Sequence, residues 1–289
     1  MKVGISILNY NDAESTISIL NSIKDYSEID RIVVIDNNSS DDSYSKLLSL
    51  KDNIEFHLIK AECNGGYSYG NNLGLRYLVE VESVDIAIIA NPDIIIEPTV
   101  IGYIKDFFLT QPDSGLVSPV MLDRNSNKTR MWLKSPSYLN SILDCSVIGR
   151  QLNKIIRKVE VNINSPVQRV DILPGSFLAF RAQALKDINY LDENVFLYYE
   201  ENIIGERLKD KGYATYLLTK CSYVHNHSVT IKKNLSILNA FKCNLKSKMY
   251  FEKEYHQIND IQELFLKFCM KYAVVEMNLI LKIKSLLKR

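Results

Sequence analysis

Ile86-Ala87-Ile88-Ile89-Ala90-Asn91-Pro92-Asp93 is an aliphatic run of strand length that stops abruptly in Asn-Pro-Asp. Buried parallel strands read as unbroken apolar runs, and open α/β sheets bind ligands beyond the carboxyl ends of such strands. Asp93 therefore stands where a ligand would be. Asn91 and Asp93 flank one residue, so both can aim oxygen at one hard cation, and Mg2+ or Mn2+ in such a place is typically shared with substrate phosphates. Asn-Pro and Pro-Asp are also ordinary turn dipeptides, and a plain strand-end turn explains the tripeptide taken alone.

Working outward, Val3-Gly4-Ile5-Ser6-Ile7-Leu8 and Arg31-Ile32-Val33-Val34-Ile35-Asp36 are strand-like, and between them Ile17, Leu20 and Ile23 recur at helical spacing. Residues 54–59 add a further strand-like run. Alternating strand and helix implies a parallel sheet covered on both faces. Three strands end in polar clusters, Asn9-Tyr10-Asn11, Asp36-Asn37-Asn38-Ser39 and Asn91-Pro92-Asp93, which converge on one sheet edge.

Those clusters, in that order, together with Asn64-Gly65-Gly66-Tyr67-Ser68-Tyr69-Gly70-Asn71-Asn72-Leu73-Gly74, resemble the family 2 glycosyltransferases. The resemblance continues through Pro174-Gly175-Ser176-Phe177, Leu191-Asp192-Glu193, Phe196-Leu197-Tyr198-Tyr199-Glu200-Glu201 and Val224-His225, and so spans about residues 1–230. Within the family the chain is most similar to the bacterial rhamnosyltransferase-like subgroup. The resemblance implies the α/β GT-A (nucleotide-diphospho-sugar transferase) fold, a mostly parallel central sheet flanked by helices. Residues 1–123 would form the nucleotide-binding half, 124–233 the acceptor and catalytic half, and 234–289 a C-terminal helical extension.

Roles follow from the resemblance residue by residue. Tyr10, beside Asn9, packs against base or ribose, and Asp36 accepts a hydrogen bond from a pyrimidine N3–H, a matched pairing that a wrong base would leave unmade. An Asx-turn role capping the helix after Ser40 is the competing reading of Asp36. Asn38, Gly66, Asn71, Asn72, Asn91 and Asp93 complete the donor-binding set. The glycines let backbone pass close to the donor and Asn71 and Asn72 face the site, although either asparagine could simply start a helix. Gly65-Gly66, Gly70 and Gly74 do not have G-x-G-x-x-G spacing and do not follow the first strand, which excludes a dinucleotide fingerprint.

Inverting transfer needs a carboxylate to take the proton of the attacking acceptor hydroxyl. The resemblance assigns this to the acidic pair after the aromatic run, with Glu201 where the family usually has Asp and Glu200 as its neighbour. The extra methylene exceeds the roughly 0.5 Å tolerance of a preorganised site, so either the backbone is set back or Glu200 shares the role. Acids in a first helical turn also favour the macrodipole without any catalysis. Asp93 and His225 are the implied holders of Mn2+ or Mg2+, with His227 in reserve, and imidazole favours Mn2+. Asn91, a neutral amide where a carboxylate is usual, weakens metal affinity. Gly175, Ser176 and Trp132 belong to the acceptor side, where an aromatic ring could stack on a sugar, though Trp132 could equally be a packing residue.

With 289 residues and 46% hydrophobic content the chain can bury one sizeable core. A net charge of +1 excludes a general nucleic-acid binder. Five scattered cysteines without C-x-x-C spacing read as reduced thiols of a cytoplasmic protein, and Met1-Lys2 runs straight into a core-like strand. No apolar run reaches bilayer-spanning length. From about Asn234 the chain reads as helical, with Lys242, Lys246, Lys248, Lys267, Lys271, Lys282, Lys284, Lys288 and Arg289 among apolar residues. That pattern suits the anionic inner face of the cell membrane, or packing on the domain or on a second copy in a homodimer.

The expected activity is therefore transfer of a sugar from a UDP- or dTDP-sugar donor, dTDP-rhamnose by subgroup, to a cell-surface or lipid-linked glycan. A sugar-nucleotide pyrophosphorylase is disfavoured because its glycine- and basic-rich phosphate loop is missing after Leu8. A non-catalytic nucleotide- or glycan-binding protein of the same fold is the other alternative, kept open by Asn91 and Glu201.

Overall fold

Three of the aliphatic runs become parallel neighbours. Val3–Asn9 (β1) lies between Arg31–Asp36 (β2) and Ile86–Ala90 (β4), and His57–Lys60 (β3) extends the sheet beyond β2. Every residue of β4 is buried, so it carries no polar alternation. The connections are Ala13–Ile23 (α1), Ser43–Leu50 (α2) and Gly66–Arg76 (α3), the last continuing into a π-helical turn, Tyr77–Val81. α1 turns Thr16, Ile19, Leu20 and Ile23 to the sheet, the face its periodicity required. The computed structural model describes residues 1–129, 131, 133–162, 164–226 and 236–286; Trp132 and His227 lie outside them.

The second half enters the same sheet. Phe177–Arg181 (β8) runs antiparallel beside β4, followed by Ser114–Leu122 (β6), Ala214–His225 (β9) and the two-residue strand Ile94–Ile95 (β5). Val167–Val170 (β7) pairs with β9 off this path. The sheet is parallel from β3 to β4 and again between β6 and β9, with β8 antiparallel to both neighbours. Pro98–Thr110 (α4) and Ala182–Asp187 (α7) pack near β6, and the main core joins residues of both halves, from Ile5 and Ile88 to Phe180 and Leu217.

The polar segment of residues 124–169 contains two short helices, Tyr138–Leu143 (α5) and Val147–Ile156 (α6). Ser137 and Asn140 form a reciprocal capping box at α5, and Ser146 accepts from Gly149 N at 3.0 Å at α6.

Glu200–Asp210 (α8) follows Tyr198 and Tyr199, both left-handed, with φ of 71° and 72°. Ile237–Glu254 (α9) packs directly on this entry. Phe251 is fully buried against the Tyr199 ring at 5.4 Å between centroids, and Ser247 Oγ donates to Leu197 O at 2.8 Å. Tyr250 and Tyr255 both donate to Asp192, at 2.8 and 2.5 Å. Lys248, one of the basic residues read as membrane-facing or packing, is buried in packing, with Asp144 3.6 Å away and Ser141 O at 3.3 Å. A long final helix, Asp260–Leu286 (α10), lies on α9 and α5.

Candidate active site

The carboxyl ends of β1 and β2 are in register, Asn9 opposite Asp36, and the two side chains meet. Asn9 Nδ2 donates to Asp36 Oδ1 at 2.8 Å and to Ser39 Oγ at 3.1 Å, while Thr16 Oγ1 donates to Asn9 Oδ1 at 3.0 Å. Ser39 N donates to the second Asp36 oxygen at 3.1 Å, the bond of an Asx turn. Asp36 and Asn9 are fully buried, whereas Tyr10 is half-buried and Asn38, in the left-handed region at φ 58°, is exposed. Asn9 thus acts on Asp36 rather than on open space. Asp36 retains acceptor capacity, because a carboxylate offers about four lone-pair sites.

The glycine-rich segment bridges the two halves of the chain. Gly66 has φ +92°, and a Cβ there would lie 2.1 Å from Phe196 O. Tyr67 N donates to Phe196 O at 2.9 Å, and Tyr67 Oη reaches Gly175 O at 2.5 Å. Gly66 is therefore needed for contact with protein backbone, a different close approach from the one expected at the donor. Asn71 is buried and donates to Tyr67 O at 3.0 Å. Asn72 clamps the 191–193 segment, accepting from Leu191 N at 2.9 Å and donating to Leu191 O at 2.9 Å and Glu193 at 2.6 Å. Asn72 thus holds the 191–193 segment, while Asn71 bonds within its own helix and keeps its buried Oδ1 without a hydrogen-bond partner among the described residues.

At the end of β4 the Asn-Pro-Asp turn meets the second half. Asn91 N donates to Ser176 O at 2.9 Å, and Ser176 Oγ lies 2.7 Å from Tyr223 Oη. β5 pairs with β9 immediately after the turn, Ile94 opposite His225, which sets Asp93 Oδ1 3.2 Å from His225 Nε2. Asn226 N also donates to Asp93 O at 3.0 Å. Strand alternation puts Tyr223 on the side of β9 that carries His225. Two residues 132 positions apart, both singled out by sequence, thus become one pair.

Glu201 joins this cluster through Gly175, whose N–H donates to Glu201 Oε1 at 3.2 Å. A Cβ on Gly175 would sit 2.9 Å from that oxygen, so a larger residue there would push the Glu201 carboxylate aside. Glu200 is buried, and its Oε1 has no hydrogen-bond partner among the described residues. Burial, reinforced by the Glu201 charge, pushes Glu200 up to about 8, and burial also raises Glu201. Tyr67 and Tyr223, which sequence reasoning did not single out, are raised as well by burial, with the neighbouring carboxylates adding to it. Their signals were available: Tyr67 sits inside the glycine-rich motif, and Tyr223 lies two residues before His225 in an extended stretch.

The donor set fits a hard divalent cation only in part. Asp93 supplies one carboxylate and His225 one imidazole, and among the described residues no cluster of three or more His, Cys, Asp or Glu side chains could hold a metal. Such a pair leaves most of an octahedral ion's positions to ligand oxygens and water. This suits an ion shared with a diphosphate better than a structural cage.

Comparison with solved structures establishes the architecture. The chain is similar to a mannosyltransferase of Pyrobaculum calidifontis solved with GDP-Man and Mn2+, at TM-score 0.60 and 15% identity, over 96% of this chain and 74% of that one. It is also similar to GalNAc-T7 solved with UDP, GalNAc and Mn2+, at TM-score 0.61 and 13% identity, over 96% and 56%. The protein has the GT-A fold. Residues 5–188 match the profile of glycosyl transferase family 2, and the chain belongs to that family. Among curated proteins it is 29% identical over 199 residues to the low-salt glycan biosynthesis hexosyltransferase Agl10 of Haloferax volcanii, covering 69% of this chain and 59% of that relative's length.

Proposed function

We propose that this protein is a metal-dependent, inverting glycosyltransferase. It moves a sugar from a nucleoside-diphosphate donor, a UDP- or dTDP-sugar with dTDP-rhamnose the candidate from subgroup resemblance, to a growing cell-surface or lipid-linked glycan. The observation that carries this reading is the continuous contact path from Asp93 and His225, through Asn91, Ser176 and Gly175, to Glu201.

Asp93 and His225 would hold Mn2+ or Mg2+, and the ion, when bound, neutralises charge on the departing diphosphate. Tyr10 and Asp36 would receive the nucleoside, Asp36 already being fixed by Asn9 and Ser39. Burial and the neighbouring Glu201 charge push Glu200 up to about 8, which favours its protonated form at neutral pH, while Glu201, also raised by burial, is the member held by a backbone donor, the Gly175 N–H. Glu201 would take the acceptor proton as the hydroxyl oxygen bonds to the anomeric carbon and the bond from that carbon to the diphosphate breaks. The Gly175 N–H fixes one Glu201 oxygen and leaves the other for the acceptor.

The test is thermal stabilisation by UDP, dTDP, GDP and their sugars with and without Mn2+, followed by turnover of the stabilising donor. Binding at 100 times Kd adds about 2.7 kcal/mol. Stabilisation by one nucleotide, enhanced by Mn2+ and lost in Asp93→Ala, is the expected outcome. Binding without turnover on any glycan acceptor would identify a non-catalytic binder instead.

A further inference from the structure

α10 has two apolar faces where a helix packed on a protein surface needs one. Its inner face, Leu266, Met270 and Ala273, is buried with Leu245 of α9 and with Cys145. On the opposite side Ile261, Phe268, Val275, Leu279 and Ile283 are exposed at intervals of seven and four residues. That spacing keeps them in one stripe about 100° wide. From Ile261 to Ile283 the stripe extends about 33 Å, at 1.5 Å per residue.

α6 widens this surface. Val147 N and the Arg150 guanidinium both bind the Glu276 carboxylate, at 2.9 and 3.1 Å, which fixes α6 beside α10. From there Ile148 and Ile155 project with 75% and 74% of their surface exposed. Two helices joined side by side, each with exposed apolar residues, are more than scattered surface residues explain.

Charge identifies what covers it. The acids along α10 are engaged internally, Glu276 by Arg150 and Glu263 by Lys253 and Lys267, leaving only Asp260 in the first turn. Lys271, Lys282 and Lys284 are exposed and have no ion-pair partner among the described residues. A second copy related by a twofold axis would present the same patch, three lysines against three with a single acid on each side. An anionic bilayer surface accepts the apolar stripe among its acyl chains and pairs the lysines with headgroups. No helix among the described residues is long and apolar enough to cross a membrane, so the fitting geometry is a helix lying in the interface.

We propose that α10 and α6 form a docking face for an anionic lipid bilayer. The proposal does not depend on the sugar-transfer reading, since none of these residues belongs to the candidate active site. Full-length protein is mixed with vesicles of phosphatidylglycerol and phosphatidylcholine, or of phosphatidylcholine alone, and partitioning is read by co-sedimentation. Binding to the anionic vesicles, weakened by high salt, is expected. Lys271→Gln, Lys282→Gln and Lys284→Gln together should weaken it by about two orders of magnitude, each lysine contributing about fivefold. Phe268→Ser with Leu279→Ser, both at exposed positions, should abolish it while circular dichroism stays unchanged. The proposal is overturned if wild-type protein ignores anionic vesicles at low salt while light scattering shows a dimer that Phe268→Ser breaks. It is equally overturned if the apolar double variant binds as wild type does, since charge adsorption alone would then explain the binding.

Discussion

Glu200 and Glu201 share one helical turn but not one environment. Glu201 is half-buried and held by the Gly175 N–H, whereas Glu200 is buried, carries an unpartnered oxygen and has its pKa pushed up to about 8. Glu201→Gln should therefore lower turnover by about 10²–10⁴ while preserving donor affinity. Glu200→Gln, which mimics the neutral acid, should be milder. Turnover and calorimetric donor binding measured on both variants check this; if neither substitution matters, the pair is only a helix start. Asp36 calls for a different pair of variants. Asp36→Ala strands the donors of Asn9 and Ser39 and should cost about 1–3 kcal/mol of stability in denaturant titration. Asp36→Asn keeps the shape and one acceptor, so its loss of pyrimidine-nucleotide affinity reads the binding role separately. At this scale the sequence was legible where chemistry sits next to a strand end, as at Asp93. It was not legible where a side chain's partner is distant, as with Asn72 holding Leu191, because an amide's spacing does not reveal what it will clamp.

Elements with one buried environment along their whole length were the readable ones. β1, β2 and β4 announce themselves as aliphatic runs, but Phe177–Arg181 is buried just as thoroughly, and nothing in such a run says that it enters antiparallel. β5 and β7, two and four residues long, are too short for any period, yet β5 is what brings Asp93 to His225. β3 begins at His57 rather than residue 54, since Ile54 and Phe56 are buried as the chain approaches the sheet. α9 differs for a further reason: Lys248, counted among the basic residues of the C-terminal helices, is buried against Asp144, and Glu252 is buried beside His256. Two element-scale expectations follow. Gly66→Ala combines a φ of +92° with a 2.1 Å clash at Phe196 O and should displace the start of α3 from the segment before α8. It should lower both the denaturation midpoint and donor affinity. Phe251→Ala should cost about 3–5 kcal/mol in the same titration. Because Phe251 supports Tyr199, it should reduce turnover as well, showing that the helices after residue 236 belong mechanically to the catalytic half.

At the scale of the whole molecule, the candidate site buries an ionisable carboxyl where folding alone would not put one. The buried Glu200 carboxyl has a folded-state pKa of about 8 against an ordinary value near 4.5. Between those values the folded protein keeps a proton that the unfolded chain has released, so stability falls as pH rises through this window and levels off above it. The slope from this one group is at most about 1.4 kcal/mol per pH unit. His256, raised through its hydrogen bond to Glu252, adds a loss of the same sign as pH rises through its folded value. Comparing wild type with Glu200→Gln removes His256 and the other distant titrating groups from the difference, leaving Glu200 and its coupled neighbour Glu201. Denaturant midpoints at pH 5, 7 and 9 should therefore show the variant gaining on wild type as pH rises, with most of the gain between pH 5 and 8. A gap independent of pH would mean that Glu200 ionises normally in the folded protein. In that case the electrostatic distinction between the two carboxyls disappears, and the assignment of the proton acceptor to Glu201 rests on the Gly175 contact alone.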